Sequence, residues 1–207
     1  MIIDISPTIS PRLGVWPGDT EFTREVSMDT NHGDNITLSA IRTTLHLGAH
    51  VDAPNHYRAG AKAMHQRNLE RYYGPCQVMA VELPRGERIR VEHLCADIEA
   101  PRLLFHTKSF PNPEAWNADF NALSAALVAH LFDAGVRLIG IDTPSVDLQD
   151  DKVLESHQAI ADRDMAILEG IVLTDVAPGL YTLCALPLAL EDADASPVRA
   201  VLIRDLT

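Results

Sequence analysis

The run Leu123-Ser124-Ala125-Ala126-Leu127-Val128-Ala129-His130-Leu131-Phe132-Asp133-Ala134-Gly135-Val136-Arg137-Leu138-Ile139-Gly140-Ile141 carries the clearest local structure in the chain. Ser124 offers a side-chain oxygen as an N-cap, and Leu127, Leu131 and Phe132 recur at helical spacing. Leu123 is placed to staple against Val128, and Gly135 stops the helix. Val136 to Ile141 then has the apolar density of a buried strand. A helix that feeds directly into a buried strand, among several other strand-like runs, predicts an α/β fold with a mixed β-sheet rather than an all-β barrel.

Working outward, Ile2 to Ile5 reads as an opening strand, and Val15-Trp16-Pro17-Gly18-Asp19 as a loop presenting an aromatic ring. By composition alone, Trp16 plugging a core edge is the favoured reading, with Trp16 meeting a ligand as the alternative. Asn35 to Asp52 reads as strands joined by a bend, and Gln77 to Leu83 as a strand ending in the turn Pro84-Arg85-Gly86. Val91 to Cys95 suggests a short helix, and Arg102 to His106 a short strand. Downstream, Leu180 to Leu190 (interrupted by Pro187) and Val198 to Ile203 read as two strands of a hairpin joined by the acidic turn Glu191 to Ser196. With no internal repeat and no linker, residues 1–207 are expected to form one domain.

A chain of 207 residues with 46% hydrophobic and 22% charged side chains can bury a core without disulfides or a structural metal. Seventeen basic against twenty-nine acidic residues, a formal charge of −12, argue against nucleic acid or an anionic membrane surface as partner. The N-terminus lacks a basic, then apolar, leader, and no segment approaches transmembrane length, so a cytoplasmic protein is expected. Cys76, Cys95 and Cys184 are widely spaced without a Cys-x-x-Cys pair; small buried residues are the expectation.

The chemistry concentrates in His46-Leu47-Gly48-Ala49-His50-Val51-Asp52-Ala53-Pro54-Asn55-His56. On a strand, His46, Gly48, His50 and Asp52 share one face, while Leu47, Ala49 and Val51 point into apolar packing. Thr43-Thr44, Gly48 and Pro54 disfavour a helix, despite the i, i+4 spacing of His46 and His50. Two imidazoles and a carboxylate from one short element suit zinc or manganese; the bland alternative is an exposed strand face that happens to be rich in histidine.

A second ion would need further ligands, for which His157 and Glu169 are candidates. On one continuous helix, twelve residues would hold them roughly 18 Å apart, so the chain must turn back at Asp162-Arg163-Asp164. That makes Ser156 to Ala161 helical and Met165 to Leu173 a strand carrying Glu169 inward. A carboxylate in so apolar a segment needs a cation, either a metal or an arginine. In Asp142-Thr143-Pro144-Ser145-Val146-Asp147, the two aspartates are expected to make turn hydrogen bonds, with orientation of metal ligands as the alternative.

The stretch from His46 to His56 resembles the H-x-G-T-H-x-D-x-P-x-H signature of the metal-dependent cyclase family, and the whole chain resembles its bacterial kynurenine formamidase (arylformamidase) branch. The likeness continues through Gly140 to Asp147, His157, Glu169 and Ser196-Pro197-Val198-Arg199-Ala200. Ala49 departs from the signature threonine, at a position that faces away from the ligands. The resemblance implies a compact three-layer β/β/α, swivelling-domain-like fold, usually a homodimer. It implies two zinc ions per chain, replaceable by manganese or cadmium: His46, His50 and Asp52 on the first, Asp52, His157 and Glu169 on the second, with Asp52 and Glu169 bridging. It further implies His56 as acid/base, Trp16 against the substrate ring, and a metal-bound hydroxide that hydrolyses N-formyl-L-kynurenine to L-kynurenine and formate in tryptophan degradation. A cyclic amide such as isatin, opened by the same chemistry, is the alternative substrate, and a metal-binding protein without catalysis is the alternative outside enzymes.

Overall fold

The structure, a computed structural model, describes residues 1–204. In chain order its strands are β1 (Ile2–Asp4), β2 (Thr23–Met28), β3 (Leu38–Arg42), β4 (His50–Asp52), β5 (Tyr73–Ala80), β6 (Arg88–Ile89) and β7 (Arg102–His106). There follow β8 (Ala122–Leu123), α1 (Ala125–Asp133), β9 (Leu138–Ile141), α2 (Glu155–Asp162), β10 (Ala166–Glu169), β11 (Gly179–Cys184), β12 (Ala195–Pro197) and β13 (Val201–Ile203). The helix α1 forms for the local reasons given above: the Ser124 hydroxyl accepts the Leu127 N–H at 3.2 Å, and Leu127, Val128 and Leu131 are fully buried. Each of these three burials contributes about 1.5–3 kcal/mol.

Nine strands form one mixed sheet in the order β1-β13-β11-β5-β7-β9-β10-β4-β12. The run β5-β7-β9-β10 is parallel, and β4 joins it antiparallel to β10. The sheet must be strongly curled. From Pro197 in β12 to Val201 in β13 the chain spans at most about 14 Å, whereas seven flat inter-strand spacings would separate those strands by about 34 Å. Hydrogen bonds from Val198 N–H to Ala49 O (2.9 Å) and from Ile5 N–H to Ala200 O (3.1 Å) tie this crossing down.

Alternation along the central strands feeds two cores. Val51, Val78, Leu104, Leu168, Leu183 and Leu202 fill the inside of the curl. Leu103, Phe105, Ile139, Ile141 and Ile167 point the other way, onto Leu127, Leu131 and Ile160 of the two helices. Strands buried on both faces read as continuous apolar runs, as 103–105 and 138–141 do. Sheet on sheet with helices outside gives the β/β/α layering.

Several boundaries differ from expectation. The strand carrying the histidines covers only His50–Asp52, because residues 45–49 bend; Gly48 takes φ +57° with Pro7 and Leu13 packed against it. β10 likewise stops at Glu169, before Gly170 at φ +65°. β11 and β13 do pair antiparallel, yet the acidic segment between them is no tight turn: it leads into β12, which pairs with β4 across the curl. The run 185–190 is not strand. Ribbon β2–β3 is a two-stranded, exposed pair whose first strand has no apolar alternation to betray it. Of the cysteines only Cys76 is buried; Cys95 is exposed and Cys184 intermediate.

Candidate metal centre

Register brings the ligand candidates together. β4 lies between β10 and β12, with His50 opposite Glu169 on one side and Asp52 opposite Ala195 on the other. Neighbouring side chains in a ladder share a face, and His50 Nε2 sits 3.0 Å from Glu169 Oε2 and 3.6 Å from Asp52 Oδ1. His46, on the bend rather than the strand, swings back over the same face, its Nδ1 3.1 Å from Asp52 Oδ1. His157 arrives from the first turn of α2, with Nε2 3.4 Å from Asp52 Oδ2 and 3.8 Å from Glu169 Oε1. The turn at 163–164 returns the chain from α2 into β10, so His157 and Glu169 meet at the centre.

Each imidazole has its other nitrogen occupied. His50 Nδ1–H donates to Gly48 O at 2.9 Å, and His157 Nδ1–H donates to Asp147 Oδ2 at 2.8 Å. A carbonyl only accepts, so that bond assigns the proton of a neutral His50 to Nδ1 and turns the Nε2 lone pair toward two carboxylates. Among the described residues, His50 Nε2 and both oxygens of Asp52 are buried without a hydrogen-bond partner. Acceptors left facing acceptors away from water are costly unless a cation lies between them. The donor set, imidazole nitrogen with carboxylate oxygen, therefore fits a zinc- or manganese-type ion. Candidate ligand atoms fall within 4.8 Å of one another in two groups, His46/Asp52/His56 and His50/Asp52/Glu169, with Asp52 in both.

Supporting carboxylates surround the centre. Asp147, at the end of the loop after β9, accepts the N–H groups of Ser156 and His157, each at 3.0 Å, and the Arg88 guanidinium at 2.8 Å. Burial works against its charge, but the bonds from His157 and Arg88 win and hold it well below the usual carboxylate range. It thus orients an imidazole rather than merely closing a turn. Asp142 instead accepts the backbone N–H groups of Thr107 and Lys108 across the sheet. Asp194, absent from the sequence-based candidates, places Oδ2 2.9 Å from His46 Nε2 and 3.6 Å from His56 Nδ1. Its only sequence signal is the acidic run 191–194, which does not tell which member faces inward.

Without a bound ion, the centre would hold protons instead. Burial lowers a histidine pKa, but the carboxylates beside each ring dominate: Asp52 and Asp194 raise His46 to about 9, and Asp147 and Asp52 raise His157 to about 10. Asp52, despite burial, is held well below its ordinary value by His157 and His46. His56, on a short turn after Pro54 and one-third exposed, is pushed down by burial.

These groups form one wall of a cavity of about 280 Å³. Its other walls are largely apolar, with Trp16, Phe110, Trp116 and Ile171, but also carry Asp19, Asp142 and Ser145. Trp16 is packed edge-on against Trp116, with centroids 5.4 Å apart, so it both braces the wall and faces the space. Phe110 and Trp116 lie in a loop too rich in proline and asparagine for periodicity to assign them a face.

Residues 3–148 match the model of a family described as "Putative cyclase". Over 201 residues, the chain is 45% identical to a kynurenine formamidase of Bordetella petrii, covering 96% of each chain. The structure superposes on that of a potential metal-dependent hydrolase with cyclase activity, with a TM-score of 0.83 at 25% identity, covering 100% of this chain and 99% of the other. It also superposes on isatin hydrolase A from Labrenzia aggregata, with a TM-score of 0.83 over 99% and 94% of the two chains. At 18% identity, that likeness concerns the fold alone.

Proposed function

The chain belongs to the cyclase family, and we propose that it is a metal-dependent kynurenine formamidase, hydrolysing N-formyl-L-kynurenine to L-kynurenine and formate as one domain. The observation that carries the reading is the set of buried acceptors without partners, His50 Nε2 and both Asp52 oxygens, on one wall of an aromatic-sided cavity. The relative from Bordetella petrii supports the choice of substrate.

We assign His46, His50, Asp52, His157 and Glu169 to two zinc ions, with Asp52 shared; manganese or cadmium suits the same donors. Bound there, such an ion supplies Lewis acidity, which polarises a carbonyl and makes water nucleophilic near neutral pH. Asp147 keeps His157 in the tautomer that frees Nε2, and Gly48 O does the same for His50. Trp16, with Trp116 and Phe110, offers edge and face area for a flat ring. His56 takes a proton from the attacking water and delivers it to the anilide nitrogen as the C–N bond breaks. Its position at the cavity edge and its depressed pKa keep a neutral acceptor available.

Ribbon β2–β3 exposes Val26 and Ile41 on one face and Leu38 on the other, apolar side chains that a second copy would cover; a homodimer is our reading, checked by light scattering. No helix among the described residues is long and apolar enough to cross a membrane, in keeping with a cytoplasmic enzyme. The activity test compares N-formyl-L-kynurenine with isatin on metal-replete protein. Turnover of the formamide is expected, with His56→Ala losing about 10²–10⁴ in rate while retaining metal. Absence of formamide turnover in the metal-replete wild type refutes the assignment.

A further inference from the structure

A second cavity of about 280 Å³ adjoins the first, and the two share Phe110, Pro113, Asp142 and Ile171 as a common wall. Their charges differ. In the first cavity Asp52 and Glu169 are assigned to metal, which leaves Asp19 and Asp142 as its other carboxylates, and among the described residues no lysine or arginine lines it. The second adds one cation, Lys108, beside His106, whose pKa burial lowers. An N-formyl-L-kynurenine molecule carries an α-carboxylate at the end of its side chain, and that anion finds no lysine or arginine in the cavity that receives its formamide.

The placement of Lys108 is built rather than incidental. Its backbone lies at φ +61°, a left-handed conformation that a lysine seldom adopts and that costs about 1 kcal/mol. Asp142 maintains it: the buried carboxylate, at the end of β9, reaches across to the end of β7 and accepts the N–H groups of both Thr107 and Lys108 at 2.9 Å. Thr107 Oγ1 adds a third bond, at 2.6 Å. The Lys108 ammonium has only a loose contact with Glu82, 3.8 Å away, and that carboxylate is 89% exposed. Water screens such a pair almost completely, so the cation remains available to an incoming anion.

We propose that this second cavity is the subsite for the amino-acid end of the substrate, with the Lys108 ammonium binding its α-carboxylate. The subsite rests on the formamidase reading and deepens it: it makes the enzyme selective for an aryl formamide whose side chain ends in an α-carboxylate over one without. The test measures kcat/KM for two substrates, N-formyl-L-kynurenine and N-(2-acetylphenyl)formamide, which has the same ring, formamide and ketone but no amino-acid end. Lys108→Asn removes the charge with a residue that tolerates the left-handed backbone, and Lys108→Arg keeps the charge. The ratio of kcat/KM for the two substrates is expected to fall about tenfold in Lys108→Asn, mainly through KM for N-formyl-L-kynurenine, and to recover in Lys108→Arg. An unchanged ratio, or no recovery with arginine, overturns the subsite while leaving the activity intact. Wild-type protein that turns over neither compound overturns the activity and the subsite together.

Discussion

Gly170→Ala is the sharpest test of how the centre is assembled. Gly170 follows Glu169 at φ +65°, and a Cβ there would sit 2.1 Å from Gly48 O and 2.7 Å from Gly48 C. Ordinary non-bonded contacts lie near 3.5 Å, so the two backbones must part by more than about 1 Å. Neither can yield freely, since Gly48 O accepts the His50 Nδ1–H and Gly170 N–H donates to Thr143 O at 2.8 Å. A left-handed alanine costs about 1–2 kcal/mol, and forced overpacking adds about 1–3 kcal/mol. The expected loss is thus roughly 2–5 kcal/mol of stability, together with a loss of about 10² in kcat/KM as Glu169 and His50 are pushed apart. Gly60→Ala is the matched control: φ is +72° with nothing within 4 Å of the new Cβ, so only the backbone cost applies. Urea denaturation, metal content and kcat/KM of the two variants give the comparison. A Gly170→Ala protein no less stable than Gly60→Ala, with full metal content and activity, would refute the close approach and the geometry built on it.

Other perturbations act through charge. Asp147→Asn sets an amide where donors from Ser156, His157 and Arg88 converge; metal affinity should fall about 10–100-fold, measured by competition with a chelator, and an unchanged affinity would deny Asp147 its orienting role. Chelator-stripped protein should release roughly two protons per chain on reloading near pH 7.5, since His46 at about 9 and His157 at about 10 carry them when the metal is absent. Calorimetry in two buffers of different ionisation enthalpy reads this directly. Because both folded values lie above the unfolded one near 6.5, the stabilisation in metal-free protein is fully present below pH 6.5 and disappears as pH rises through about 9 and then about 10. Away from the centre, Asp164 accepts from Arg67 at 2.6 Å and also pairs with Arg71, while the Arg67 side chain is almost wholly buried. Burial opposes the Asp164 charge, but the bond from Arg67 lowers its pKa; its contribution is therefore present above pH 3.8 and lost as pH falls toward the depressed value. The Asp164 carboxylate is more than half exposed and water screens it, so Asp164→Asn should cost about 1 kcal/mol at pH 7, and the gap from wild type should close in acid denaturation below pH 3.8.

How much was legible varied with range. α1 could be read outright because its cap, its apolar stripe and its stop at Gly135 lie within a dozen residues. The buried alternation of Leu47, Ala49 and Val51 was equally local, and all three are buried. The extent of the strand was not: an apolar/polar pattern persists across Gly48, but Pro7 and Leu13, from far away in the chain, press on the bend there. Asp147 had two readings because an aspartate beside serine and proline satisfies a turn or reaches across with equal local ease. The arrival of His157 from α2 decided between them.

The sequence by itself determined the elements and the chemistry on offer: the strand-and-helix alternation, a histidine-rich segment with one aspartate, and a carboxylate in an apolar run that demanded a cation. Steric preference and burial act on neighbours in the chain, so those conclusions needed no partner segment. Only the tertiary structure decided the order of nine strands, the curl that brings β12 onto β4, the register that sets Glu169 opposite His50, and the entry of Asp194 beside His46 and His56. Those depend on which distant segments satisfy each other's hydrogen bonds and apolar faces. A strand's own pattern states that it needs neighbours without stating which.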